Sequence, residues 1–423
     1  MNGKYSPDAS RRGFLQSAGL LAAAAGTALA PASAAKADTS ETASYLAGDI
    51  EPFYGVRQGG ILTPVQRHSY FAAFDLETAK RDDVITMLRS WTAACAALTR
   101  GEPAPSPAGY ATEDSADTLG LGPSRLTVTF GFGAGLFVKD GKDRYGLGAA
   151  QPEALIDLPR FPGDQLIEAR SGGDLSVQAC ADDPQIAFHA IRRLAALGWG
   201  TARLRWAQTG YLPDTKPGET PRNLLGFKDG TSNPGGEAAL AEFVFVGDDG
   251  PAWMRGGSYV VARRILVALE HWDRLPANIQ EQTVGRHRAS GAPLGKTNEF
   301  DAVDLAATDR DGNPAVPLNS HVRLANAGSN DGARILRRPY SYNDGVGYTA
   351  ERWPPWRQSV EYDAGLFFVC YQRDPREGFM KIFSKLAKFD RLNQFTTHTG
   401  GGLFACPGGA APGEYIGEKL FDT

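Results

Sequence analysis

The sequence predicts an α+β fold in which antiparallel strands carry helices on their faces. Two observations lead to this prediction. Strand-like and helix-like apolar patterns follow one another along the chain, and one arrangement occurs twice: a strand that bears a cysteine, then a helix that begins at Asp183-Pro184 or at Asp374-Pro375. A repeat of this kind indicates two copies of one α+β unit, although the pattern alone also fits other α+β sandwiches.

The elements of the first copy follow from apolar spacing. His68–Leu76 is typical of a buried strand rich in aromatic residues, and apolar residues recur at helical spacing over Arg81–Leu98. Two further strands are expected at Leu126–Phe130 and Leu175–Cys180. Asp183-Pro184 then provides the N-cap and the first residue of a second helix.

The elements of the second copy come in the same order. The run Gly257–Leu269 is expected to begin as a strand and to end as a helical segment near His271, and Phe367–Tyr371 has the pattern of a buried strand. Asp374-Pro375 again starts a helix, whose apolar stripe is formed by Phe379, Ile382, Phe383 and Leu386.

Composition places the chain among globular proteins. It has 423 residues, of which 42% are hydrophobic, enough for about two to three domains with apolar cores. The formal net charge is -4, which gives no support for binding to nucleic acid or to an anionic membrane surface. The glycine cluster Gly131–Gly135 lacks the third glycine of a dinucleotide loop and no helix pattern follows it, which argues against nucleotide binding.

The N-terminus has the features of an export signal. Ser10–Leu15 reads SRRGFL, a twin-arginine motif, and the apolar run Ala18–Ala30 follows it. We expect residues 1–37 to be a signal peptide recognised by the twin-arginine translocase, so that the mature protein is extracytoplasmic, in the periplasm or secreted. The apolar run is short and rich in alanine, so no stable membrane span is expected; a retained anchor is the alternative. Twin-arginine export carries folded proteins, which suits a protein whose cofactor is inserted before export.

The four cysteines do not form a recognisable metal or redox motif. Cys95, Cys180, Cys370 and Cys406 include no CxxC or CxxCH pair, so a zinc knuckle, a thioredoxin-like site and a covalently attached c-type haem are unsupported. We expect thiols buried in the core, with a disulfide as the alternative.

The stretch Asn223–Pro234, NLLGFKDGTSNP, joins an extended apolar run to a tight polar turn. Gly226 and Gly230 bracket Asp229, and glycines so placed let the backbone turn sharply or approach a flat ligand. A solvated turn residue is the plain alternative for Asp229. Two more segments stand out, NSHVRLAN around His321 and ARILRRPYSY farther on. Together these segments resemble the dye-decolorising peroxidases, a family of haem enzymes.

This resemblance implies a fold and a cofactor. The fold would be two ferredoxin-like modules, a duplication, with residues 38–222 as the N-terminal module and residues 223–423 as the C-terminal, haem-binding module. The cofactor would be haem b, bound without a covalent link, with His321 as the proximal ligand of the iron. Asp390 stands where family members carry the carboxylate that accepts the other N–H of that imidazole; a surface charge at a helix end is the alternative. His398, by contrast, has polar surroundings typical of a loop.

The resemblance also implies an acid–base residue and a counter-charge on the distal side of the haem. Asp229 fits the first place and Arg337 the second, with Arg338 as the alternative because neighbouring side chains of a strand face opposite sides. Pro339 departs from the family pattern, in which a small residue is commoner. Further haem contacts are expected from Gly230, Thr231, Leu366 and Phe368, with a plain core strand as the alternative for the last two.

The implied function is that of a peroxidase, which reduces hydrogen peroxide and then oxidises dyes, phenolics or other one-electron donors. Asp229 would move a proton between the peroxide oxygens while Arg337 stabilises the developing charge, and a carboxylate base beside an arginine predicts an acidic pH optimum. The alternative is a haem-binding or deferrochelatase protein that releases or delivers haem iron with little turnover, with iron-uptake proteins as partners. Aromatic residues that could carry electrons at the surface, or could simply pack, are Trp253, Trp353, Trp356 and Tyr348.

Overall fold

The strands form a single antiparallel sheet in the computed structural model, which describes residues 50–105, 114–216, 218–350 and 358–422. The predicted signal peptide, Trp353 and Trp356 lie outside these residues, as does the side chain of Tyr348. The strands are β1 (His68–Leu76), β2 (Thr127–Phe132), β3 (Leu175–Ala181), β4 (Ala202–Tyr211), β5 (Ser258–Val267), β6 (Leu336–Arg337), β7 (Tyr340–Ala350), β8 (Gln358–Gln372) and β9 (Thr396–Cys406).

The sheet closes on itself. Its order is β5–β9–β2–β3–β1–β4–β7–β8, and β8 pairs in turn with β5. Separate sheets were expected for the two halves of the chain, but the halves are joined at two seams. β2 meets β9 through Phe132 and Ala405, and β4 meets β7 through Tyr211 and Ser341. Within the halves the strand orders are β2–β3–β1–β4 and β9–β5–β8–β7.

A proline divides the strand that leads into the site. β6 and β7 pair with the same edge of β8, and Pro339 lies between them. Proline has no backbone N–H to donate to the ladder, so the strand is interrupted there. The position at which the sequence departs from the family pattern is therefore also the position at which the strand is interrupted.

The helices are α1 (Arg81–Leu98), α2 (Ala134–Phe137), α3 (Pro184–Leu197), α4 (Glu237–Phe243), α5 (Leu269–Trp272), α6 (Ala277–Val284), α7 (His321–Ala325), α8 (Lys381–Phe389) and α9 (Glu418–Phe421). Asp183 caps α3 as predicted, because its Oδ1 accepts from the backbone N–H groups of Gln185 and Ile186 at 2.7 and 3.2 Å. Asp374 caps Arg376 in the same way at 2.8 Å, but a π-helical turn, Arg376–Met380, precedes α8. A short helix, α2, also begins at Ala134 within the Gly131–Gly135 cluster, where none was expected.

Two apolar cores stabilise the sheet. The larger one packs α1, α3 and α8 against one face of the sheet. The smaller one is made mostly of strand residues from both halves of the chain. At its centre Phe71 contacts Trp206 of the first half and Phe367 and Phe404 of the second, with ring centroids 5.4, 5.6 and 6.0 Å away. The two halves therefore share one core.

Three further observations concern expectations from the sequence. All four cysteines are buried and free. Trp253, considered as a surface aromatic, is only 5% exposed: its ring packs near Phe132 and Phe137 and its Nε1 donates to the carbonyl of Ala150 at 3.1 Å, so it packs rather than reaching the surface. No helix in the described residues is long and apolar enough to cross a membrane.

Candidate active site

The GFKDG turn holds Asp229 by its backbone. Gly226 and Gly230 have φ angles of +87° and +139°, which glycine adopts readily and other residues rarely do. The side-chain oxygen of Asn223 accepts from backbone N–H groups within the turn, and the N–H of Asp229 donates to the carbonyl of Pro221 at 3.0 Å. The carboxylate is thereby presented from a rigid turn rather than from a solvated loop.

Arg337 is paired with Asp229. Its Nη1 donates to Oδ1 of Asp229 at 2.9 Å, and both side chains are largely buried. The amide of Asn233 forms two bonds with the backbone of Arg337, accepting from its N–H at 3.0 Å and donating to its carbonyl at 2.9 Å. Asn233 lies in the same turn region as Asp229, so one segment orients both members of the pair.

Arg338 points the other way. Its guanidinium donates to the carbonyl of Thr63 and to the side chain of Gln66, the latter at 2.8 Å. This is the alternation expected of neighbouring strand residues. Of the two arginines that the sequence left open, Arg337 is the one that faces Asp229.

His321 is paired with a buried carboxylate. Its Nδ1 lies 2.6 Å from Oδ2 of Asp390, whose side chain is 3% exposed. Asp390 is fixed in turn because its Oδ1 caps the backbone N–H of Leu392 at 2.8 Å. An ionised carboxylate only accepts hydrogen bonds, so Nδ1 carries the proton and Nε2 keeps its lone pair.

The same pair shifts the pKa of the imidazole. Burial lowers the pKa of His321, but the charge of Asp390 and its hydrogen bond outweigh burial, and the pKa lies above its ordinary value. Asp390 therefore makes the imidazole more electron-rich, as a carboxylate does when it supports a metal-bound histidine.

All the site residues predicted from the sequence line one cavity of about 500 Å³. Arg337, Leu366 and Phe368 come from the sheet, and the last two share a face of β8 as their spacing predicted. His321 and Asp390 come from α7 and the end of α8. The predicted residues on the lining are Asp229, Gly230, Thr231, His321, Arg337, Leu366, Phe368 and Asp390.

Other polar residues that sequence reasoning did not assign to the site also line this cavity, among them Asn233, Arg286 and His398. Asn233 was visible in the GFKDGTSNP string. His398 is not in a loop as expected but in β9, where it is 9% exposed and pairs across from Ile265. Arg286 lies in the sequence VGRHRASG after α6, where nothing in the spacing marked it.

The donors of this cavity fit a haem. One imidazole offers Nε2 as an axial ligand, and the supporting carboxylate is buried behind it. The surrounding walls are largely apolar, with Ile265, Val267, Leu366 and Phe368 on the sheet side. An ion pair between a carboxylate and a guanidinium opens onto the same space. Together the fold and the site define a haem oxidoreductase.

Comparisons with known proteins assign the family. The family models described as Dyp-type peroxidase, N-terminal and C-terminal, match residues 58–212 and 220–411. The chain is 36% identical to a dye-decolorizing peroxidase of Thermobifida fusca, over 98% of this chain and 97% of that protein. It is also 36% identical to a deferrochelatase of Escherichia coli, over 99% of this chain and 98% of that protein. This protein belongs to the Dyp-type peroxidase family.

Solved structures agree with this assignment. DtpA from Streptomyces lividans, as an oxyferrous complex, superposes with a TM-score of 0.81 at 42% identity, over 89% of this chain and 99% of that one. A DyP-type peroxidase from Streptomyces coelicolor gives the same score at 41% identity, over 90% and 99% of the two chains. As a member of this family, the protein is a peroxidase whose cofactor is haem without a covalent link.

Proposed function

We propose that this peroxidase reduces hydrogen peroxide with Asp229 as its distal acid–base residue, Arg337 as the distal counter-charge and His321 as the proximal ligand of haem iron. The observation that carries the proposal is that two charge pairs, Asp229 with Arg337 and His321 with Asp390, line the same cavity. Leu366 and Phe368, with Gly230 and Thr231, would form the apolar and backbone contacts of the macrocycle.

Each side chain has a defined task in this reaction. Bound haem supplies the redox-active iron that takes up peroxide. Asp229 accepts a proton from one peroxide oxygen and returns it to the other, which leaves as water. Its Oδ2 has no hydrogen bond within the described residues and is the oxygen open to that proton, while Oδ1 stays with Arg337. The guanidinium stabilises negative charge as the O–O bond breaks.

The reaction should be fastest at acid pH. Carboxylates as a class are ionised at lower pH than imidazoles become neutral, because their ordinary pKa values are about 4 and about 6.5, so a carboxylate base serves at lower pH than an imidazole base. A pH–rate profile of the peroxide step that peaks above neutrality would contradict Asp229 as the base.

The test of the proposal is stopped-flow spectroscopy of the haem-loaded protein mixed with hydrogen peroxide. Asp229→Ala should slow the change in the Soret band by about 10²–10⁴-fold, the usual contribution of a general acid–base residue. His321→Ala should alter the resting spectrum because the axial ligand is lost. Asp248→Ala is the matched control, since this carboxylate is 86% exposed and lies outside the cavity. Equal rates in wild type and Asp229→Ala would refute the assigned role.

A second candidate function is release of iron from haem. It is favoured by the Escherichia coli relatives named deferrochelatase, which match 99% of this chain. In that case Asp229 and Arg337 would hold water or propionate, and iron-uptake proteins would be the partners. Incubation of the loaded protein with a reductant and a ferrous chelator, followed by porphyrin fluorescence, distinguishes the two. Metal-free porphyrin formed without peroxide turnover supports the second candidate.

We extend the proposal to export and organisation. The SRRGFL motif supports a signal peptide over residues 1–37, recognition by the twin-arginine translocase and an extracytoplasmic location. The order β2–β3–β1–β4 in the first half and β9–β5–β8–β7 in the second supports two ferredoxin-like copies. The matched family ranges support a boundary between the modules near residue 222. One-electron donors such as dyes and phenolics are the proposed reductants.

A further inference from the structure

Arg286 is a buried arginine on the cavity wall that the proposed mechanism does not use. It follows α6 directly and is only 6% exposed. Its Nη1 donates to the backbone carbonyls of Gly291 at 2.6 Å and Glu299 at 3.0 Å. These two bonds hold the guanidinium in one orientation against the cavity that His321 also lines.

Unlike its charged neighbours, Arg286 has no counter-ion. Within the described residues no carboxylate oxygen lies within 4.0 Å of it, whereas Arg337 pairs with Asp229 and Lys228 pairs with Glu299. Burial, and then repulsion by Arg337, lower the pKa of Arg286, and the charges of Glu299 and Asp229 offset this only in part. A buried cation without a partner is costly to the folded protein until an anion reaches it.

The unused donors of Arg286 are arranged for a carboxylate. Nη1 is occupied by backbone carbonyls, and no hydrogen bond from Nε or Nη2 is found in the described part of the chain. Nε–H and Nη2–H lie parallel on one side of a guanidinium, the fork that binds both oxygens of one carboxylate. Arg334 also lines the cavity but is exposed, so its charge is already solvated.

We propose that Arg286 binds a propionate carboxylate of haem through Nε and Nη2, so that the cofactor supplies the counter-charge that the protein lacks. The inference rests on the proposed use of this cavity for haem. It goes beyond the proposed site residues, because it assigns the recognition of the propionate edge to an arginine that takes no part in the peroxide step.

The test compares the release of haem with the release of its dimethyl ester, in which both propionates are uncharged. Full-length protein is loaded with either compound, mixed with excess apomyoglobin, and followed by the Soret band. Arg286→Met should speed the release of haem by about ten- to a hundred-fold, the effect of one charge-assisted hydrogen-bonded pair. It should change the release of the ester by less than about threefold. Arg286→Lys should release haem at a rate between those of wild type and Arg286→Met.

The matched control is Arg222→Met. Arg222 also donates to backbone carbonyls near this loop, those of Gly226, Arg288 and Ala289, but it does not line the haem cavity. It should change the release of haem and of the ester by the same factor. If Arg286→Met also changes the release of haem and the release of the ester by one common factor, Arg286 only holds the loop and the proposal is overturned.

The outcomes also separate this inference from the proposed function. If wild type releases haem no more slowly than His321→Ala, the cavity is not the haem site and both ideas fail. If wild type retains haem, His321→Ala releases it quickly and Arg286→Met matches wild type, only the role of Arg286 is refuted.

Discussion

At the scale of single residues, two tight charge pairs line the cavity. Asp390 accepts from His321 at 2.6 Å and Arg337 donates to Asp229 at 2.9 Å, both in largely buried positions. In such surroundings, removing one partner leaves the other uncompensated, which costs more than the pair itself contributes. Conservative substitutions are therefore the informative ones.

Asp390→Asn should weaken the bond between iron and His321 without removing haem. The amide keeps the size of the carboxylate but has one acceptor oxygen in place of two, so it cannot both cap Leu392 and accept from His321, and the imidazole loses the electron donation of a carboxylate. Resonance Raman spectroscopy of the ferrous protein should show the iron–histidine stretch at lower frequency than in wild type. An unchanged stretch would mean that Asp390 does not tune the ligand.

His398 should make the protein less stable in acid. Burial, and then the charge of Arg263, lower the pKa of His398 to about 3, whereas an unfolded histidine titrates near about 6.5. Arg263 is itself paired with Asp164, and within the described residues no carboxylate oxygen lies within 4.0 Å of the imidazole. Because the folded state excludes a proton that the unfolded state takes up, stability is fully present above the unfolded pKa and is lost as pH falls from 6.5 toward 3.

The measurement is denaturant unfolding of wild type and His398→Phe at pH 7 and pH 5. Between pH 7 and pH 5 the free energy of unfolding of wild type should fall by about 2 kcal/mol more than that of the variant. The difference is taken within each protein, so a change in packing against Phe383, which does not depend on pH, cancels. Equal losses in both proteins would show that His398 accepts a proton without unfolding.

At the scale of elements, the GFKDG turn sets the position of the acid–base residue. Gly230 has φ +139°, and a Cβ built there would lie 3.5 Å from Thr220, an ordinary contact. Gly230→Ala should therefore destabilise through backbone strain alone, by about 1–3 kcal/mol, and should slow the peroxide step by shifting Asp229. Thermal unfolding and stopped-flow kinetics measure the two effects.

Gly235→Ala is the control for this turn. Gly235 has no positive φ, and a Cβ there would meet nothing within 4 Å. It should leave stability within about 0.5 kcal/mol and the peroxide step unchanged. Equal effects of the two substitutions would show that conformation at residue 230 does not control Asp229.

The elements also show how far the sequence predicts this structure. Local signals were sufficient to predict α1, the Asp183 cap and the buried part of strand β8, because apolar spacing and capping act within a few residues. The closure of the sheet was not predicted, since it depends on pairing between residues as distant as Phe132 and Ala405. The sequence left open whether Trp253 packs or lies at the surface, because its partners Phe132 and Phe137 are far away in the chain.

The candidate site was predictable where chemistry and motif coincide. Asp229, His321 and Arg337 were found because they lie in segments that resemble a known family. Arg286 was not found from the sequence. It stands out because it has no carboxylate partner among the residues that the structure describes, and the spacing of residues along the chain does not reveal a missing contact.

At the scale of the whole molecule, the two halves depend on each other. Each seam of the closed sheet has a single residue pair, so the seams alone are weak links. The shared core joins the halves, with Phe71 of the first half packed against Phe367 and Phe404 of the second. The buried ion pair of Arg263 with Asp164 also crosses between them. The cavity proposed for haem is lined by residues of the second half, yet the retention of haem should depend on a side chain of the first.

Phe71→Ala tests this dependence. The side chain is 1% exposed, so its truncation should cost about 3–5 kcal/mol, and unfolding should remain one transition because both halves lose the same core. Guanidinium unfolding followed by circular dichroism and by the Soret band should show coincident midpoints, both shifted to lower denaturant. Phe300→Ala, at a residue 70% exposed, should leave both midpoints in place. A Soret midpoint that stays at the wild-type value while the circular dichroism midpoint falls would show that the haem-binding half is stable without its partner.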